Sequence, residues 1–235
     1  MPTVLLVRHG RSTANTSGAL AGWSPGVTLD ERGREQAVAL AARVATLPLA
    51  AVVSSPLQRC QQTLEPLLRA RPEVELHTDE RVGECRYGDW TGRKISELVE
   101  EPLWGTVQQY PSRAVFPGPE GESLRQMQTR AVDAVREWND RVERDHGADA
   151  LLVVCSHGDI IKSVVADALG MHLDLFQRIA VDPCSVTAIR YTAARPFLLR
   201  LGDTGDLNGL APRPVEPDSG PAEGDAVVGG GAGAP

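Results

Sequence analysis

With 235 residues, 42% of them hydrophobic and 23% charged, the chain has the composition of a soluble globular protein. It is long enough for one substantial α/β domain or two small ones. A net charge of −7 disfavours a nucleic-acid partner, and no apolar run approaches the roughly 20 residues needed to cross a bilayer, which disfavours a membrane partner. Cys60, Cys85, Cys155 and Cys184 show no CxxC or His/Cys ligand spacing and read as free buried thiols; with no leader-like stretch after Met1-Pro2, a cytoplasmic location is expected.

The acidity is uneven. From Asp203 onward there are six acidic residues and one arginine, a net −5, so the body before it is close to neutral and an arginine cluster there would attract an anion.

In chain order, residues 3–7 have the aliphatic and β-branched character of a buried strand that ends in Arg8-His9-Gly10. Such a strand delivers a cation and an imidazole to its carboxyl end, where open α/β sheets bind ligands. A Gly/Ser/Pro-rich loop follows over 17–26; Trp23 is a candidate wall residue, with plain packing as the alternative. Asp30 reads as the N-cap of a helix whose apolar face includes Leu40, Val44 and Leu47 and which Pro48 ends.

Residues 50–54 form a second buried strand. Ser55 as N-cap and Pro56 at the first helical position predict the next helix, with Arg59 at the end of its first turn. A short strand is expected over 74–77. The segment 81–93, with Glu84, Tyr87 and Trp90 among glycines and no helical period, predicts an ordered loop. Tyr87 and Trp90 give Glu84 a less polar setting, which favours a carboxyl that keeps its proton.

The proline-containing stretch 101–121 predicts a short helix and an irregular cap over the site. Ser123 with Gln126 makes a capping box for the longest helix, whose buried face runs Leu124, Met127, Ala131, Val135, Trp138 and Val142 to a stop at Gly147. Residues 151–155 are another buried strand, ending in Ser156-His157-Gly158. The helix after it, over 160–169, presents its N-terminal amides and dipole to the same edge. A hairpin of strands over 186–191 and 197–201 completes a domain assigned to 1–202; 203–235, rich in Gly, Pro, Ala and Asp, is expected to be a disordered tail. Strands alternating with helices predict a three-layer α/β/α fold with a mainly parallel sheet.

Four separated motifs carry a resemblance. Val7-Arg8-His9-Gly10, with Ser12 and Asn15 after it, resembles the signature of the histidine phosphatase superfamily, the clan of phosphoglycerate mutases and histidine acid phosphatases. Ser55-Pro56-Leu57-Gln58-Arg59 with Thr63 is similar to the family segment that supplies a second phosphate-binding arginine, and Glu84 with Gly88, Trp90 and Gly92 to the segment that supplies the general acid. The strand ending in His157-Gly158 completes the set, and the match extends over residues 3 to about 200.

The resemblance implies a phosphoglycerate mutase-like fold and a phosphohistidine intermediate on His9. Arg8, Arg59, His157 and Gly158 would hold the phosphoryl group, Glu84 would act as acid, and Ser12 and Asn15 would orient substrate or backbone. Neighbouring arginines are expected to keep His9 neutral by like-charge repulsion. Arginines also supply the positive charge, so no metal and no cofactor is expected, and the P-loop pattern GxxxxGK[ST] is absent from the sequence. The expected partner is a small phosphate monoester; the sequence carries no signal for oligomeric state. A phosphatase is favoured, with a phosphomutase as alternative because Glu84 and Tyr87-Gly88 are mutase-like, and a non-catalytic phosphate-binding module as a third reading. Against the mutase, the segment 101–121 offers Arg113 alone as a basic residue.

Overall fold

Three strands of this chain read as unbroken aliphatic runs because both of their faces are covered. They are β1 (Thr3–Arg8), β2 (Leu49–Ser54) and β4 (Leu151–Ser156), joined by β3 (Leu76–Thr78), β5 (Val186–Tyr191) and β6 (Pro196–Asp203). A computed structural model describes residues 2–205 together with Gly229 and Gly231. The strands form one sheet in the order β3-β2-β4-β1-β5-β6, parallel from β3 to β1 and antiparallel across β1-β5-β6. The expected three-layer fold with a mainly parallel sheet is therefore observed.

The helices are α1 (Thr13–Ser17), α2 (Glu31–Val44), α3 (Gln58–Ala70), α4 (Ile95–Leu98), α5 (Pro102–Gln109), α6 (Leu124–His146) and α7 (Gly158–Ala168). The strand period of two divides the core. Val4, Leu6, Leu152 and Val154 pack with α6 and α7 on one face; Leu5, Val7, Val153 and Cys155 pack with α2 and α3 on the other. Fully burying each such side chain contributes about 1.5–3 kcal/mol.

Two of the capping signals hold. Asp30 accepts from the Gly33 amide to start α2, and Ser123 forms its capping box with Gln126 to start α6, which Gly147 closes at φ +88°. The Ser55-Pro56 signal does not hold: α3 begins at Gln58 with Leu57 as an N-cap that makes no side-chain bond. The Ser55 hydroxyl oxygen accepts from the Leu57 amide at 3.3 Å, within the turn before α3, and lies 2.8 Å from His157 Nε2. Helix α1 escapes the periodicity because it is five residues long; Ser12 and Asn15 close it with a reciprocal capping box and Gly18 ends it at φ +66°.

The hairpin β5-β6 is as expected, and β6 continues to Asp203. The assignment of 203–235 to a disordered tail falls outside the described residues except at 203–205, 229 and 231. All four cysteines are buried free thiols.

Candidate active site

Sheet register assembles the site. Arg8 pairs with Ser156 across β1-β4, so the chain leaves both strands at the same level and the next residues are His9 and His157. Their ring centroids lie 5.1 Å apart, edge to face. On the other side of β4, the Ser55 amide donates to the Cys155 carbonyl at 2.9 Å, which brings Ser55 to the same edge. Its hydroxyl oxygen is 2.8 Å from His157 Nε2.

The turn after His9 is fixed by close backbone approach. A Cβ on Gly10 would meet the Gly33 carbonyl oxygen at 2.6 Å, and one on Gly33 would meet the Arg11 carbonyl oxygen at 2.0 Å. The two glycines thus let the start of α2 pack directly on the backbone of the loop that follows His9. The Gly10 amide donates to Thr63 Oγ1 at 2.9 Å, and that hydroxyl donates to the Arg59 carbonyl at 2.7 Å, tying the turn to α3.

Arg59 lies on the first turn of α3 and is 2% exposed. Its Nε donates to His9 Nε2 at 3.3 Å and its Nη2 to the Gly22 carbonyl at 3.0 Å. His9 Nδ1 faces the Gly10 carbonyl at 2.8 Å. A carbonyl only accepts, so Nδ1 carries the proton and Nε2 holds the lone pair. Burial, then Arg59, then Arg8 hold the His9 imidazole well below its usual range. The repulsion expected from the arginines is present, but burial is the larger cause, which a sequence does not reveal. Burial followed by Arg59 likewise keeps His157 neutral.

Arg8 is 1% exposed, with Nη1 donating to the Val181 carbonyl at 2.8 Å. Glu84 is 3% exposed; its Oε1 accepts from the Cys85 amide at 3.0 Å and its Oε2 lies 3.8 Å from His157 Nδ1. Burial and then the Asp159 carboxylate raise the Glu84 carboxyl to about 7, with Arg59 opposing. Tyr87 and Trp90 are fully buried, as the expected less polar setting requires.

The segment carrying Glu84 is clamped from two sides. The Trp23 indole donates to the Glu84 carbonyl at 2.6 Å, and Arg130 donates to the carbonyls of Arg81, Gly83 and Glu84 at 2.7–2.9 Å. Trp23 is therefore a clamp rather than a wall. Sequence reasoning missed Ser55, Thr63 and Arg130 because each reads locally as a cap or a helix-surface residue.

Asp159 was also missed. An acid in the first turn of a helix reads as a dipole partner. Here it is 0% exposed, accepts from the Tyr87 hydroxyl at 3.1 Å and lies 3.5 Å from Lys162 Nζ. Helix α7 is buried from Gly158 to Ala166, and its sequence, which also carries Lys162, Ser163 and Asp167, gave no signal that Asp159 would be.

A cavity of about 210 Å³ opens beside these groups, lined by His9, Asn15, Arg59, Glu84, Tyr87 and Ile95 among others; Arg8 and His157 stand behind that lining and are not part of it. Ser12, Ala14 and Gly18 to Gly22 contribute as well, so the first loop shapes it as expected. The other expected wall does not: no lining residue among the described ones comes from 101–121. Trp104, Val107 and Phe116 of that segment are buried in the core, with Phe116 stacked edge-on against Tyr87 from behind. Lys94 Nζ is held by the Ser17 carbonyl, and Arg113 sits over the Tyr110 ring. Among the described residues, no group of three or more His, Cys, Asp or Glu is arranged to hold a metal ion, and no helix is long and apolar enough to cross a membrane.

Fold and site together define an α/β protein whose sheet edge gathers two guanidinium groups, two neutral imidazoles and one protonatable carboxyl, three of which, His9, Arg59 and Glu84, line a small cavity. That constellation suits a phosphoryl group: the guanidinium forks match its oxygens, and an unprotonated ring nitrogen is free to attack. The profile of the histidine phosphatase superfamily (branch 1) matches residues 4–204, and the chain belongs to that family.

Among curated relatives, it is 27% identical over 199 residues to the 2,3-bisphosphoglycerate-dependent phosphoglycerate mutase 2 of Gloeobacter violaceus, covering 84% of this chain and 89% of that one. It is 30% identical over 210 residues to the phosphoserine phosphatase 1 of Hydrogenobacter thermophilus, covering 88% and 95%. Among solved structures, Bacillus stearothermophilus YhfR superposes with a TM-score of 0.78 at 27% identity, covering 86% of this chain and 98% of that one.

Proposed function

We propose that this protein is a metal-independent phosphomonoester hydrolase that works on a small phosphorylated metabolite through a phosphohistidine on His9. The observation that carries this reading is the state of His9: its Nδ1 proton is tied to the Gly10 carbonyl, and its Nε2 lone pair points at the Arg59 guanidinium. A neutral, oriented nucleophile beside a cation is what attack on a phosphate dianion needs.

Arg8 and Arg59 neutralise the phosphoryl oxygens, and the amides at the start of α7, beginning at Gly158, add donors at the same place. Ser55 Oγ and Cys60 Sγ lie 2.8 and 3.5 Å from His157 Nε2; in this reading Nε2 accepts from them and Nδ1 carries the proton. Nδ1 makes no hydrogen bond to the protein, which leaves it to donate to the oxygen that gains charge during transfer. His9 Nε2 forms the bond to phosphorus as the ester P–O bond breaks, and the Glu84 carboxylic acid gives its proton to the departing alkoxide. In the second half, the Glu84 carboxylate takes a proton from water as that oxygen attacks phosphorus; the P–N bond breaks and inorganic phosphate leaves. Ser12 and Asn15 act through the backbone of α1, with Asn15 also facing the cavity.

The size of the cavity supports a metabolite rather than a macromolecule. A mutase reading has a named relative in its favour, but a mutase must retain a bisphosphate, and the described lining adds no cation beyond the phosphoryl site. A third reading, a phosphate-binding module without turnover, has nucleophile and acid both in place against it. Hydrolysis of p-nitrophenyl phosphate in EDTA, with acid-labile labelling of His9, tests the reading. Phosphate release from 3-phosphoglycerate without 2,3-bisphosphoglycerate separates phosphatase from mutase. Binding of phosphate without turnover would overturn both in favour of the module. A cytoplasmic location is part of the same reading, tested by fractionation.

A further inference from the structure

Two glycines near the C-terminus reach the cavity. Gly229 and Gly231 line it together with His9 and Arg59. The Gly231 carbonyl accepts from Arg8 Nη2 at 2.5 Å, and the Gly229 amide donates to Asp159 Oδ2 at 3.0 Å.

Both anchors are charged groups with almost no solvent access, Arg8 at 1% and Asp159 at 0%. A buried charge needs a partner, and two nearby peptide groups supply one acceptor for the cation and one donor for the anion. Arg8 Nη1 is already committed to Val181, so Nη2 and Nε, which has no partner among the described residues, are the arms left for a phosphoryl oxygen, and the Gly231 carbonyl sits on Nη2. The seat also specifies glycine. Gly229 has φ +75°, and a Cβ there would meet Leu20 Cδ1 at 2.9 Å and Tyr87 Oη at 3.6 Å.

We propose that the C-terminal segment carrying Gly229 and Gly231 is an intramolecular competitive ligand of the phosphoryl pocket, in which a backbone carbonyl on Arg8 takes the place of a phosphate oxygen and a backbone amide caps Asp159. Substrate must displace it. Because the segment is tethered, it competes at an effective concentration of about the millimolar order, independent of protein concentration. The inference rests on the reading of Arg8 as a phosphoryl-binding residue.

The test compares the full chain with Gly229→Val, and with a second variant lacking residues 206–235. The readouts are the dissociation constant of orthovanadate by calorimetry and the kinetics of p-nitrophenyl phosphate hydrolysis. Both variants are expected to bind vanadate more tightly and to show a lower KM, each by roughly threefold to thirtyfold, with kcat unchanged. Equal vanadate affinity in the full chain and the variants, or a KM that rises when the segment is removed, would overturn the proposal. Should the shortened chain not fold, Gly229→Val alone decides by the same criterion. Tighter vanadate binding without any hydrolysis would sink the phosphatase reading and leave this one standing; hydrolysis with unchanged vanadate affinity does the reverse.

Discussion

The Ser55 hydroxyl, at the end of one strand, stands 2.8 Å from Nε2 of His157, 102 residues later at the end of the neighbouring strand. That contact occupies Nε2 of His157 and fixes the orientation of its ring. Ser55→Ala is expected to lower kcat about tenfold, the equivalent of one hydrogen bond, with little change in KM or thermal stability. Steady-state kinetics and a melting curve check it; a change confined to KM would place Ser55 in substrate binding instead.

His9→Ala should reduce turnover by at least about 10³-fold, because no other side chain among the described lining residues offers an unprotonated nitrogen beside Arg59. Circular dichroism should show the fold intact, and the acid-labile phosphoenzyme should vanish in a quenched-flow experiment.

Glu84→Gln removes the proton donor while keeping the shape of the side chain. Alkyl phosphates, whose leaving group needs the proton, should lose about 10²-fold or more in kcat/KM, and p-nitrophenyl phosphate far less. Equal losses for both substrates would take the acid role away from Glu84.

The pH profile follows from the same carboxyl. With Glu84 raised to about 7, turnover of alkyl phosphates is expected to fall as pH rises above 7 while that of p-nitrophenyl phosphate stays nearly level. Stability runs the other way. The imidazoles of His9 and His157 are held neutral in the fold but take up protons below about 6.5 when unfolded, so acidification favours the unfolded chain. Glu84 opposes this, because its raised carboxyl binds a proton in the folded state first; that contribution is present below its ordinary value of 4.5 and lost as pH rises through 7. Two imidazoles against one carboxyl leave a net loss of about 1.4 kcal/mol per pH unit between 6.5 and 5. Denaturation at several pH values should show that slope, and His9→Asn should flatten it.

Gly33→Ala places a methyl group 2.0 Å from the Arg11 carbonyl oxygen, inside the backbone contact that positions the His9 loop. A loss of about 1–3 kcal/mol in stability is expected, with a fall in kcat as the loop shifts. Urea unfolding and kinetics on the same preparation would measure both.

The chain's own order of residues determined the fold class, the positions of most strands and helices, and five site residues, Arg8, His9, Arg59, Glu84 and His157. Those features are local: strand ends in His-Gly, capping boxes at Asp30 and Ser123, and a Gly/Trp loop around Glu84 each leave a signal within a few residues. Tertiary structure alone decided what depends on contact between distant segments. Ser55 reads as a helix cap until β2 and β4 pair and His157 takes its hydroxyl. The segment 101–121 reads as a cap over the site until Trp104 and Phe116 find room in the core. Asp159 carries no signal of its own until the fold seats it beside Tyr87, where it helps lift Glu84. Desolvation is the common reason: it is set by what surrounds a group in space, and a neighbour more than a hundred residues away leaves no mark on the local pattern.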